Sequence, residues 1–317
     1  MEKNIKLWSS LGMRATFGLI ALDLVKKNPN LIIATSDVST SAGLERFRKQ
    51  HPNNYVDVGI AEQNLIGVSA GLASEGYDVI STTFAPFQTL RCCEQIKVNL
   101  GYMEHKICMV GLASGLVLGN LGFTHCSIEE IGALRSIPNI SIVVPADSFE
   151  LSKVLDEFLE HNNSIYIRLT AGANSKIINL NDYKFKIGKA IKILSGEDIA
   201  IIGCGNILSN CIDAAKELRT KGINCTVINM HTIKPIDKDI IKNITQNHRL
   251  IITVEEHNII GGLGSAVAEI MSEEKNNCKL LRLGVNDFYS KGGSYEFLKD
   301  IYGLSVEKII KNVLLNI

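Results

Sequence analysis

Short runs of β-branched and other apolar residues alternate along the chain with longer stretches whose apolar positions recur at helical spacing. Residues 31–35, 78–82, 106–111, 141–144 and 165–168 read as strands. Between them, 14–27, 62–75, 128–135 and 149–161 carry the helical pattern. Apolar strands separated by helical crossovers predict a mainly parallel sheet covered on both faces. A polar, irregular stretch over 172–186 reads as a linker, and the alternation then restarts. Strands are predicted at 199–203, 225–229, 250–255 and 279–283, with helices at 208–221, 237–246 and 264–272. The predicted fold class is therefore α/β, with two domains, 1–180 and 181–317, each a mainly parallel sheet flanked by helices.

Composition narrows the function classes. A chain of 317 residues, 46% hydrophobic and 21% charged, has the length of about two globular domains. Lys plus Arg and Asp plus Glu balance at 33 each, so no net field recruits nucleic acid or an anionic membrane. Residues 107–124 are uncharged, but Gly111, Gly115, Gly119 and Gly122 punctuate them and Asn120 interrupts them before the roughly 20 residues a membrane span needs. A buried strand followed by a glycine-rich loop is expected there. The N-terminal residues lack the long apolar run of a secretory signal. The eight Cys are scattered without a C-x-x-C pair, and Cys108, Cys204 and Cys225 sit in strand-like runs. Buried free thiols of a cytoplasmic protein are expected, with no metal site on this chain.

The segment Asp57-Val58-Gly59-Ile60-Ala61-Glu62-Gln63-Asn64 places an acidic residue in the first turn of a helix. By itself that pattern is ordinary dipole complementarity. It is followed by Gly67-Val68-Ser69-Ala70-Gly71-Leu72-Ala73 and preceded by Arg14-Ala15-Thr16-Phe17-Gly18. Further on come Thr82-Thr83-Phe84-Ala85-Pro86-Phe87-Gln88-Thr89-Leu90-Arg91 and Gly119-Asn120-Leu121-Gly122-Phe123-Thr124-His125. Together these stretches resemble the transketolase and 1-deoxyxylulose-5-phosphate synthase group. The resemblance runs over nearly the whole chain and is strongest in residues 55–147.

The resemblance implies a thiamine-diphosphate pyrimidine-binding domain followed by a transketolase C-terminal domain. Glu62 is then the carboxylate that hydrogen-bonds N1′ of the cofactor's aminopyrimidine and lets its amino group move a proton. Phe84 and Phe87 match the aromatics around that ring, and Leu116 and Leu118 match further cofactor contacts. A flat heteroaromatic ring is well held by offset or edge-on Phe. His125 matches a histidine that contacts donor-sugar oxygens and shuttles protons. Arg14 and Ser41 match positions that hold substrate phosphate. Val254-Glu255-Glu256-His257 resembles the structural third domain, and Glu256 and His257 read as polar contacts near the domain interface.

Several positions depart from the family pattern. Asn120 and Leu121 replace two acidic residues, Ala171 stands where a second phosphate-binding arginine is usual, and Ala113 or Ser114 stands where a histidine is usual. Two lost charge-assisted donors make an ordinary pentose phosphate a poor donor substrate. Full-length transketolases are about twice this long, consistent with a further domain. The G-D-G…N motif that binds Mg²⁺ and the cofactor diphosphate is missing from this chain. The implied plan is the second subunit of a split transketolase that transfers a two-carbon ketol unit from a ketose to an aldose, sugar or sugar phosphate. An N-terminal partner subunit would supply Mg²⁺ and diphosphate contacts, and two of each chain would form a heterotetramer. Other plans stay open: the β subunit of a 2-oxo-acid dehydrogenase decarboxylating component, half of a deoxyxylulose-phosphate-synthase-like enzyme, or a non-catalytic scaffold subunit.

Overall fold

The computed structural model describes residues 2–170, 172, 175–178, 183–275 and 278–317, with side chains from residue 7 onward. Apolar runs become strands: β1 (Leu31–Thr35), β2 (Tyr55–Asp57), β3 (Asp78–Phe84), β4 (Ile107–Leu112), β5 (Ile140–Val143) and β6 (Ser164–Arg168). Next come β7 (Ile191–Leu194), β8 (Ile199–Gly203), β9 (Cys225–Asn229), β10 (Thr232–Lys234), β11 (Leu250–Asn258) and β12 (Lys279–Val285). Strands β1, β4, β5, β6, β8 and β9 are buried along their whole length, as parallel strands covered on both faces must be.

The first sheet has the order β10-β5-β6-β4-β3-β1-β2, and the second β12-β11-β8-β9-β7. Pairing is parallel except at two edges, where β10 lies antiparallel to β5 and β7 antiparallel to β9. The two-domain α/β reading is therefore what the chain folds into. Strands β7 and β10 were not predicted, nor were the helices Tyr295–Ile301 and Val306–Leu314. The boundary expected near residue 180 lies outside the described residues.

Strand β10 comes from the chain's second half yet completes the edge of the first sheet, pairing Thr232 with Val143 and Lys234 with Ile142. One apolar core cluster likewise runs through both sheets, joining Ile32, Val79 and Met109 to Ile202, Ile228 and Leu263. The expected thiols Cys108, Cys204 and Cys225 are all buried and free. Among the described residues no helix is long and apolar enough to cross a membrane, and residues 107–124 form β4 and a loop.

Candidate active site

Parallel strands that end together deliver the loops after them to one edge, where α/β sheets take their ligands. The first sheet does this here. Ser41 lies in the loop after β1, Glu62 follows β2, Phe84 ends β3, and Leu116, Leu118 and His125 lie in the loop after β4.

Glu62 opens the helix Glu62–Ser74, and Ala61 ahead of it gives no side-chain cap. The turn ahead of it is tied down. Asp57 Oδ1 accepts from Asp37 N–H at 3.0 Å and Gly59 N–H at 2.9 Å. Burial pushes the Asp57 carboxyl up, but these N–H bonds and those from Thr35 and Tyr55 outweigh it and hold it below its ordinary value. Ser36 Oγ donates to Gly59 O at 2.6 Å and accepts from Ala61 N–H at 3.1 Å. The Glu62 carboxylate, 6% exposed, is ion-paired at 2.7 Å with Nη1 of Arg91, which is 43% exposed. The Arg91 guanidinium also lies 4.1 Å from the centroid of the Phe87 ring. Burial, with the Glu62 charge behind it, pushes the neighbouring Cys92 thiol up to about 12.

Phe84 and Phe87 stand edge-on with centroids 6.4 Å apart, and the His125 ring lies 5.3 Å from Phe87 and 6.4 Å from Phe84. His125 Nδ1 shares a hydrogen bond of 3.0 Å with Thr124 Oγ1. The structure thus brings Glu62, Phe84, Phe87 and His125 together and adds Arg91. The signal for Arg91 was present in its place four residues after Phe87.

Arg14 and Ser41 are also brought together. They line a polar cleft of about 240 Å³ with Leu11, Gly12, Thr40 and Gly172. The helix Glu2–Lys27 breaks at Gly12 (φ 75°), which starts a new turn just before Arg14. A Cβ at Gly18 would fall 2.0 Å from Gly43 O, so only glycine lets this helix approach the Ser41 loop. Ala113 and Ser114 are buried, and Ala171 lies outside the described residues.

The loop after β4 closes on itself. Gly115 N–H donates to Ser127 O at 2.8 Å and Ser127 N–H to Gly115 O at 3.1 Å. Leu116 is fully buried in a cluster with second-domain residues such as Ile199, Leu208 and Leu298, whereas Leu118 is half-buried. Leu116 N–H donates to Glu256 Oε2 at 3.4 Å. Leu121 stands 59% exposed at the loop's tip.

Behind this loop lies a fully enclosed polar cluster. Arg168, at the end of β6, pairs with Glu130 and donates to Ser127 O at 2.8 Å and Glu256 O at 2.7 Å. Glu255 accepts from Leu263 N–H at 2.6 Å and Gly264 N–H at 2.8 Å, and burial pushes its carboxyl up to about 7. Burial also depresses His257 to about 4, so this neutral ring is not an ion partner of Glu255, 3.9 Å away. Glu256 and His257 lie at the domain interface, as their sequence context suggests.

A carboxylate beside a pair of aromatic rings, with a histidine on the same wall, suits a flat heteroaromatic ring bearing a basic nitrogen. These residues fit an aminopyrimidine. Among the described residues no group of three His, Cys, Asp or Glu side chains is placed to hold a metal ion.

Known proteins resemble this chain along nearly its whole length. The family model of the transketolase pyrimidine-binding domain matches residues 9–175, and that of the transketolase C-terminal domain matches 188–309. A putative transketolase C-terminal section from Methanocaldococcus jannaschii is 35% identical over 96% of this chain and 95% of its own. The 6-deoxy-6-sulfo-D-fructose transketolase subunit SqwH from a Clostridium species is 33% identical over 94% of this chain and 92% of its own. A solved structure described as a split gene transketolase, inactive beta4 tetramer, superimposes with a TM-score of 0.86 at 30% identity, covering 96% of this chain and 97% of that one. The chain belongs to the transketolase family, as a transketolase-like transferase subunit built from the pyrimidine-binding and C-terminal domains.

Proposed function

We propose that this chain is the catalytic second subunit of a thiamine-diphosphate-dependent transketolase that moves a two-carbon ketol unit from a ketose to an aldose. The observation that carries this is the grouping of a buried Glu62 carboxylate with Phe84, Phe87 and His125 at one sheet edge. When bound, the cofactor supplies the carbanion chemistry. Glu62 accepts and returns a proton at the ring nitrogen. Phe84, Phe87 and Leu118 hold the ring and keep water from the carboxylate, where a low dielectric strengthens the proton exchange. His125 donates to sugar oxygens from the same wall. An N-terminal partner subunit binds the diphosphate through Mg²⁺, and two of each chain form a heterotetramer in the cytoplasm. The domain boundary lies near residue 180.

Arg14 and Ser41, sharing one polar cleft, bind the anionic end of the substrate. Among the described residues lining the cleft Arg14 is the one cation, fewer than an ordinary pentose phosphate needs. Xylulose 5-phosphate is therefore a weak donor, and a low-micromolar Michaelis constant for it in the assembled enzyme would refute this.

The decisive experiment is Glu62→Gln in the assembled enzyme at saturating cofactor. The amide keeps a hydrogen bond but cannot take up the proton, so turnover falls by about a thousandfold, on the order of 4 kcal/mol of barrier. Near-normal ketol transfer would exclude the assignment.

A further inference from the structure

The glycine-rich loop 115–127 is gripped at its base and near its tip by residues of the second domain. At the base, Glu256 Oε2 accepts from Leu116 N–H at 3.4 Å, while Glu256 Oε1 accepts from Tyr295 Oη–H at 2.6 Å. Arg168 spans the same base, donating to Ser127 O at 2.8 Å and to Glu256 O at 2.7 Å. Gly115, with φ 69°, lies so near that a Cβ there would fall 2.8 Å from Glu256 Oε2. Towards the tip, Gly293 N–H donates to Gly119 O at 3.0 Å, and just past the loop Asn258 N–H donates to Ile128 O at 2.7 Å. Loops as rich in glycine as this one do not hold a shape by themselves.

We propose that Glu256, backed by Tyr295 and Arg168, is a positioning residue that fixes the backbone of loop 115–127, so that the second domain sets how tightly the site holds the cofactor. The inference rests on the proposed function, which places Leu118 and His125 of this loop at the cofactor and substrate. Glu256 is enclosed and touches neither, acting only through Leu116 N–H and the base of the loop. Losing Tyr295 Oη leaves a buried carboxylate with one partner fewer, so that Glu256 is no longer anchored against the long Leu116 N–H bond.

The test uses the chain assembled with its partner subunit. Tyr295→Phe and Glu256→Ala are compared with Glu256→Gln, whose amide still offers an acceptor to Leu116 N–H and a donor to Tyr295 Oη. Three quantities are read: hydrogen exchange of the 115–127 amides, the thiamine diphosphate dissociation constant by calorimetry, and kcat at saturating cofactor. Tyr295→Phe and Glu256→Ala are expected to speed exchange in 115–127 selectively and to weaken cofactor binding about tenfold. In both, kcat stays within about twofold of the parent, and Glu256→Gln restores both other readings. Should Glu256→Ala fail to fold, Tyr295→Phe carries the test. Leu118→Ala separates the two levels of inference. Unchanged affinity in Tyr295→Phe with weakened affinity in Leu118→Ala overturns the positioning role alone. Unchanged affinity in both overturns the reading of the loop, and the positioning role with it.

Discussion

Two of the places where the chain buries carboxylates differ in their surroundings. Glu62, at the edge of the first sheet, has as its charged partner a half-exposed arginine that also rests on Phe87. Glu130, Glu255 and Glu256, behind the loop, take theirs from Arg168, two helix N–H groups and Tyr295, all drawn from the packed domain interface. A carboxylate with a movable, water-facing partner can exchange that partner for a ligand. One whose partners are all fixed can only hold the structure around it. Burial alone does not separate chemistry from framework; the exposure of the partner does.

Substitution should expose that difference. Glu62→Gln, so damaging to turnover, is expected to leave the unfolding free energy within about 0.5 kcal/mol of the parent. Arg168→Met should do the reverse, stranding the buried Glu130 charge and costing about 3–5 kcal/mol of stability. Chemical denaturation of the two variants checks this, and a stable Arg168→Met protein would erase the contrast.

Glu255 gives a smaller effect with a definite sign. Its folded carboxyl stands near 7 against an ordinary 4.5, so the folded chain keeps a proton that the unfolded chain has released. Stability from this group therefore falls as pH rises across that window. Glu255→Gln removes the titration, so the parent should lose on the order of 2 kcal/mol relative to the variant between about pH 5 and about pH 8. His257, Arg168 and Arg282 face the same carboxyl and remain in both proteins, so their own contributions cancel in the difference. A pH-independent difference would show that Glu255 titrates normally.

The smallest effect is expected at Arg91. Its ion pair is 43% exposed on the arginine side, so solvent screening limits it to about 1 kcal/mol. Arg91→Met frees Glu62 of the partner it exchanges for a ligand, so cofactor binding should tighten by less than about tenfold without altering the fold, and weaker binding would show that Arg91 helps to hold the cofactor.

Much of this was legible in the chain because the central strands are continuous apolar runs and because the motif around Glu62 is distinctive. The helix predicted at 237–246 forms over Lys238–Asn247 with Asp237 as its cap. What escaped is informative. Strands β7 and β10 are short and lie antiparallel at sheet edges, where half the pattern of a buried strand is absent. The 55–57 piece is only partly buried and reads as a simple extension into Gly59. Leu116 is buried more deeply than its place in a glycine-rich loop implies. Its burial depends on the second domain's Leu298 and Ile199, more than 80 residues away in sequence, which no local pattern encodes.

Strand β10 means that the chain is not two beads on a string. Severed at the polar stretch between the halves, the first piece would lose the edge strand that begins at Thr232 and bare the open side of β5. The second piece would carry that strand with nothing to pair against. Anyone wishing to express, swap or graft one half alone must carry Thr232–Lys234 across the cut, because the seam in the sequence is not the seam in the sheet.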